Sequence, residues 1–287
     1  MKKVSSGKKL NRSLGGNIAI FIPLLIMAAF MLIPMIYAVS NAFKPFDELF
    51  IFPPRLLVKN PTTENFTDLF NLMSDSWVPF SRYFFNTVFI TVLGTAGHVL
   101  LASMAAYALA KFDFLGRNFL FKMVVLALMF SPAVTAVPSY VIMTRLGLVD
   151  SPWSLIIPAF QSSLGLYLMK QFMEQLLPDP LIEAARIDGK SEAGIFFTIA
   201  FPLAKPAWIT LIILVVQGLW NNGGGTYIYS EQNKTLPMAL SQITAAGISR
   251  AGASAAVAVV MMIIPITLFI IVQNSMIETM STSGMKE

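Results

Sequence analysis

Groups able to do covalent chemistry are scarce in this chain of 287 residues, which has no cysteine and one histidine. Without cysteine there is no disulfide, thiolate nucleophile or Cys-held metal, and His98 alone cannot build a histidine metal cluster. A phosphate-binding G-x-x-x-x-G-K-[ST] loop is absent, and Gly7-Lys8-Lys9 is no exception, lacking both the upstream glycine and the Ser/Thr. D-D-x-x-D and G-x-S-x-G are also absent. The titratable groups gather in one stretch. Between Lys170 and Lys205 lie five acids (Glu174, Asp179, Glu183, Asp188, Glu192) and four bases (Lys170, Arg186, Lys190, Lys205), with long uncharged runs on either side. Charge so placed suits docking better than catalysis.

Local rules predict how that stretch folds. Asp179 is a suitable N-cap and Pro180 suits a first helical position, because no N–H is needed there. A short helix Leu181–Asp188 follows, with Ile182, Ala185 and Ile187 available for an apolar contact. Gly189 supplies the left-handed residue that stops it. Ser191 caps a second short helix, which Pro202 and Pro206 break before the next long run. The small pair Ala184–Ala185 would let another protein's surface come close. On these residues alone, a well-capped interfacial loop without a partner is an equal reading.

The elements around this stretch are membrane spans. Hydrophobic residues make up 56% of the chain and charged residues 12%, about half the charged share of a soluble domain. Six uncharged runs stand out: Ser13–Phe43, Tyr83–Ala110, Met123–Thr144, Ser151–Met169, Pro206–Ser230 and Ala251–Ile277. About 20 helical residues cross ~30 Å of hydrocarbon, so all six qualify, Ser151–Met169 only just. The first run is too long for a secretory signal and is expected to kink or end near Pro34. The expected fold is an all-α membrane protein of six transmembrane helices with both termini cytoplasmic. On that topology 13 of the 20 Lys and Arg residues lie inside, five of them in the first twelve residues. The net charge of +5 thus reflects membrane orientation and not nucleic acid. The segments are a basic cytoplasmic tail (1–16), a first span (17–43), an extracytoplasmic loop with short helices (44–82), a core (83–278) holding the loop 174–205, and a cytoplasmic tail (279–287).

Glu183-Ala184-Ala185, then Asp188-Gly189, Phe196, Ile199, Pro202 and Pro206 resemble the EAA loop of binding-protein-dependent ABC transporter permeases. Further residues resemble the carbohydrate-uptake branch, which includes the maltose-system MalG subunit. These are Asn86, the run Ala105–Phe112 with Gly116-Arg117, Leu146-Gly147-Leu148 with Ser151, Phe172, Pro178, Trp220-Asn221 and Thr235-Leu236-Pro237. The resemblance covers roughly Tyr83–Ile277. It implies the type I ABC importer permease fold in a bacterial cell membrane, and a chain that is a transport subunit and not an enzyme. The partners it implies are a second, MalF-like permease in a heterodimer, two cytoplasmic ATPases that bind ATP and Mg, an extracytoplasmic solute-binding protein and a carbohydrate substrate. In such permeases the EAA loop forms a coupling helix seated in a cleft of the ATPase. Carried over, Glu183 pairs with a basic residue of the ATPase, Ala184 and Ala185 give close packing, Gly189 makes the turn, and Asp188 and Pro202 belong to the same motif.

Two positions depart from the family pattern. Asn222-Gly223-Gly224-Gly225 follow Trp220-Asn221 where an acid and bulky residues are usual, and Lys190 replaces a small residue. The glycines read as a helix terminus, the alternative being a flexible mouth. Asn221, Asn222, Gln161, Gln273 and Asn274 are candidates to line a sugar path, or else are glue between helices. His98, beside Gly94 and Gly97, reads as an interhelical hydrogen bond at a close glycine contact. An intramembrane enzyme or a stand-alone secondary transporter fits less well, because no span carries an Asp or Glu and no repeated halves are visible. An ABC permease for a non-sugar solute is the closer rival.

Overall fold

The computed structural model describes residues 14–74, 76–222 and 226–283, with the helical backbone alone over 274–283. Most of the basic tail, Gly223–Gly225, the side chain of Asn274 and the end of the second tail lie outside the described residues. Every regular element among the described residues is helical. They divide into two compact units, residues 1–69 with 248–259 and residues 70–247 with 260–287.

The first unit holds α1 (Leu14–Ala42), α2 (Phe46–Leu49), α3 (Glu64–Ser74) up to Leu69, and the start of α14 (Ala251–Ser283). Helix α1 does not end near Pro34. It runs through Pro23 and Pro34 to Ala42 with its apolar side chains exposed, Phe30 by 73%. Such a surface belongs in lipid or against another helix. The end of α1 is tied down by buried Asn65, whose amide donates to Ala42 O (2.9 Å) and Lys44 O (2.7 Å). These bonds satisfy carbonyls that a helix end leaves open.

The second unit is built on α4 (Phe80–Lys111), against which α7 (Trp153–Phe160), α8 (Ser163–Leu176), α12 (Lys205–Trp220) and α13 (Leu236–Thr244) pack. Glycines permit the close approach: a Cβ at Gly97 would collide with the Phe160 ring, and one at Gly94 with Leu219. Helices α5 (Arg117–Ala127) and α6 (Pro132–Arg145) meet at a bend of 110°. The straight span expected over Met123–Thr144 is therefore a bent pair. Ser131 caps α6 and Pro132 opens it, which starts a new helix and does not extend the old one.

The fourth expected span, Ser151–Met169, is also two helices, α7 and α8, separated at Gln161–Ser162. Ser162 Oγ accepts from Gly165 N (3.1 Å), so α8 has its own N-cap. Three uninterrupted helices among the described residues are long and apolar enough to cross a membrane: Gly15–Ala42, Phe80–Lys111 and Gly247–Gln273. Two bent pairs also qualify, α5 with α6 and the helical segment Glu192–Leu203 with α12.

Candidate coupling loop

The charged stretch folds as α9 (Asp179–Ile187), α10 (Glu192–Ile195), a π turn (Phe196–Ala200), α11 (Phe201–Leu203) and α12, with a 75° bend between α11 and α12. Helix α9 stops as its residues dictate. Asp188 is its last αR residue and Gly189 has φ +78°. Gly189 N donates to Arg186 O (3.0 Å) and Lys190 N to Ala185 O (3.1 Å), the paired bonds of a Schellman ending. Ser191 caps α10 by accepting from Gly194 N (3.2 Å). Pro202 has no N–H to donate, and the turn before it widens, Phe201 N reaching back to Phe196 O.

Asp179 does not act as the N-cap. Pro178 occupies that position without a side-chain bond, and the Asp179 carboxylate goes to Lys111 Nζ at 2.6 Å. The lysine also donates to Leu177 O (2.6 Å), which holds the start of α9 against the end of α4. The Lys111 hydrogen bond to its carboxylate keeps the Asp179 carboxyl below its usual range. A second tether runs from Tyr107 OH to Glu192 Oε2 (3.1 Å) and from Arg186 Nε to Glu192 Oε1 (2.7 Å). The Arg186 hydrogen bond, helped by Tyr107, lowers the Glu192 carboxyl, and Glu192 raises the guanidinium in turn. Arg186 also lies over the Phe112 ring at 5.5 Å. Lys190 Nζ donates to Thr198 Oγ1 (3.0 Å).

Apolar packing completes the clamp. Ile182 and Ala185, three residues apart on one face of α9, enter a core with Tyr107, Met173, Ile195 and Phe196. Ala185 therefore does not join Ala184 in an open small-residue surface. It is 6% exposed, and its small size serves the chain's own core. The face left open carries Glu183, Ala184, Ile187 and Asp188, with Ile187 86% exposed where an apolar contact was expected. The tethering residues Tyr107, Lys111 and Phe112 were visible in the sequence only as part of the run Ala105–Phe112. Their partners are 85 and 68 residues away for Tyr107 and Lys111.

The candidate path residues do not form one cluster. Gln161 lies at the α7–α8 break on a cavity of about 360 Å³. Asn221 ends α12 and donates its amide to Gln217 O (3.0 Å), while Asn222 N reaches Leu219 O (3.3 Å). Gln273 is half-buried on α14. His98 is fully buried and its Nδ1 donates to Phe160 O (3.3 Å), the interhelical bond expected of it. At the opposite end of α4, Asn86 donates to Gln232 O (2.8 Å) and Lys234 O (3.0 Å), and Thr87 Oγ1 accepts from Leu236 N (2.7 Å). Asn86 and Thr235-Leu236-Pro237, far apart in sequence, are thus parts of one joint.

Long apolar helices and a polar helix pinned to one end of the bundle define a helical membrane protein. Residues 98–280 match the model of the binding-protein-dependent transport system inner membrane component family, and the chain belongs to that family. It is 34% identical over 225 residues to Protein LplC of Bacillus subtilis, covering 76% of this chain and 72% of that one. It is 33% identical over 267 residues to the arabinooligosaccharides transport system permease protein AraQ of Halalkalibacterium halodurans, covering 88% and 90%. Among solved structures it resembles a bacterial ABC transporter involved in the import of the acidic polysaccharide alginate. That likeness has a TM-score of 0.76 at 22% identity over 93% of this chain and 99% of that one, and it concerns the fold alone.

Proposed function

We propose that this chain is one of two permease subunits of an ATP-driven importer for a di- or oligosaccharide in a bacterial cell membrane. Its polar loop 174–205 is the contact for a cytoplasmic ATPase. The relative AraQ is named a permease for arabino-oligosaccharides, which supports a saccharide as cargo. ATP and Mg belong to the partner ATPases, and an extracytoplasmic binding protein delivers the solute. Six crossings follow if α5–α6 and α7–α8 each count as one bent or broken span beside α1, α4, α12 and α14. With both termini inside, the basic residues lie mostly on the cytoplasmic side. The segments are then a tail (1–16), a first span (17–43), an outer loop (44–82), a permease core (83–278) and a second tail (279–287).

The observation that carries the reading is the two-faced character of α9. One face is locked to α4 by Ile182, Ala185 and the tethers of Lys111 and Tyr107, while Glu183, Ala184 and Ile187 are left open. A push on the open face is delivered to α4 without loss in a flexible linker. Packed helices then shift between discrete arrangements, which is alternating access driven from outside the chain.

Purification in mild detergent tests this. The wild type should bring down a Walker-type ATPase and a second permease. Glu183→Ala with Ile187→Asp should lose the ATPase alone, because both side chains are exposed. Recovery of the intact complex from the double variant sinks the docking role. Uptake of labelled saccharides by membrane vesicles that hold the wild-type complex separates the sugar reading from that of a permease for another solute.

A further inference from the structure

Between α7 and α8 the backbone leaves helical geometry inside a run whose composition places it in the membrane. Gln161 (φ −96°, ψ 90°) and Ser162 (φ −121°, ψ 109°) are extended. Irregular backbone at membrane depth is tolerated where protein buries it or where it lines a polar cavity. The cavity of about 360 Å³ lies here, walled by His98 of α4, by Gln161, Ser162 and Gly165 at the break, and by Leu214 and Gly218 of α12.

Unspent polar groups meet at this wall. The N–H group of Leu164, in the first turn of the 14-residue helix α8, has no carbonyl to bond and lies in the lining. Gln161 is exposed at the break. His98 is fully buried, with Nδ1 on Phe160 O and Nε2 packed against Gly165, so it shapes the wall and is not itself a ligand contact. Pro158, Ala159, Val215 and leucines of α8 and α12 complete the lining, and no acid belongs to it. Hydrogen-bonding groups on one side and leucines on the other match a sugar ring, which has hydroxyls at its edge and C–H groups on its face. The volume equals the liquid share of ~12 waters, room for about one ring.

We propose that this cavity is a saccharide-binding subsite contained within this chain. Sugar oxygens accept from the Leu164 N–H at the start of α8 and from the Gln161 amide. The break exists to present these groups, and His98 holds it in place through Phe160 O. This rests on the carbohydrate reading above and names where the solute is held.

The absence of native cysteine makes the test direct. Gln161→Cys and Gly218→Cys each place a sole thiol on the cavity wall, and a Cβ at Gly218 meets nothing within 4 Å. Val92→Cys, 62% exposed on α4, is the control. The assembled importer in vesicles is treated with a small methanethiosulfonate reagent, alone or with an arabino-oligosaccharide or an oligogalacturonide, the neutral and acidic arms. At about ten times the half-saturating concentration of the accumulated sugar, modification at 161 and 218 should slow about tenfold, with no change at 92. Unchanged rates with a saccharide that the vesicles accumulate overturn the subsite and leave the importer reading standing. Vesicles that accumulate no saccharide remove both.

Discussion

Replacing Gly189 by alanine isolates the backbone cost of the turn that ends α9. Gly189 has φ +78°, and a Cβ built there meets no atom within 4 Å. The cost is therefore torsional, about 1–2 kcal/mol for an L residue in the left-handed region. That is about 5–30-fold in a local opening equilibrium. The amides that report it are those of Gly189 and Lys190, bonded to Arg186 O and Ala185 O. Hydrogen exchange of the importer in detergent should show these two amides, with the last turn of α9, opening about 5–30 times more often in Gly189→Ala. Amides in the middle of α4 should not change. Gly189→Asn should recover part of the loss, because asparagine tolerates this region better. Equal protection in the alanine variant and the wild type, or the same loss in the asparagine variant as in the alanine one, would refute the torsional account.

Other perturbations reach different parts of the molecule. Ile182→Ala removes a side chain 2% exposed in the core beneath α9 and should cost about 2–5 kcal/mol, read as a lower Tm with faster exchange across 179–187. Asn65→Ala strands the carbonyls of Ala42 and Lys44 in the first unit, at about 1–3 kcal/mol. Limited proteolysis between α1 and α3 should then accelerate, whereas Asn65→Asp with its unchanged shape should not rescue it, since a carboxylate cannot donate. The Glu192 carboxyl is held below its ordinary value by Arg186 and then Tyr107. Its contribution is complete above about pH 4.3, the ordinary glutamate value, and is lost as pH falls from there through the lowered one. Protection of 192–195, corrected for intrinsic exchange, should be flat from pH 7 to 5 and fall below that, and Glu192→Gln should abolish the step.

The parts legible in the sequence are those governed by local rules. Uncharged runs announced the long helices, and Gly189 and Ser191 announced the end of α9 and the start of α10. The interruptions were missed because a count of uncharged residues does not register them. Signals for both were present: Ser131-Pro132 is a helix start, and Pro158 followed by Gln161-Ser162-Ser163 is a polar break in an apolar run. Asp179 went to Lys111 and not to its own helix because a buried ammonium 68 residues earlier competes for the carboxylate. Ala185 turned inward because Ile182 three residues before it fixes the buried face. No local pattern states which side of a short helix meets the core.

The three joints of α4 explain how one chain could link its distant surfaces. The helix has 32 residues, about 48 Å at ~1.5 Å per residue. Its last turn holds the loop through Tyr107 and Lys111. Its middle holds the α7–α8 break through His98 and the Gly97 contact with Phe160. Its first turns hold residues 231–236 through Tyr83, Asn86 and Thr87. Between the joints no proline interrupts the helix, and none of the causes of a sharp kink tied to proline applies. On the proposed reading, displacement of α9 by an ATPase therefore rotates α4 as a strut, opening the cavity wall and the far loop together. A flexible α4 would let the loop move alone. Ser103→Pro, between the loop and the cavity, should thus preserve ATPase recovery yet abolish nucleotide-dependent changes in the labelling of Gln161→Cys. If both survive the proline, coupling does not run through α4.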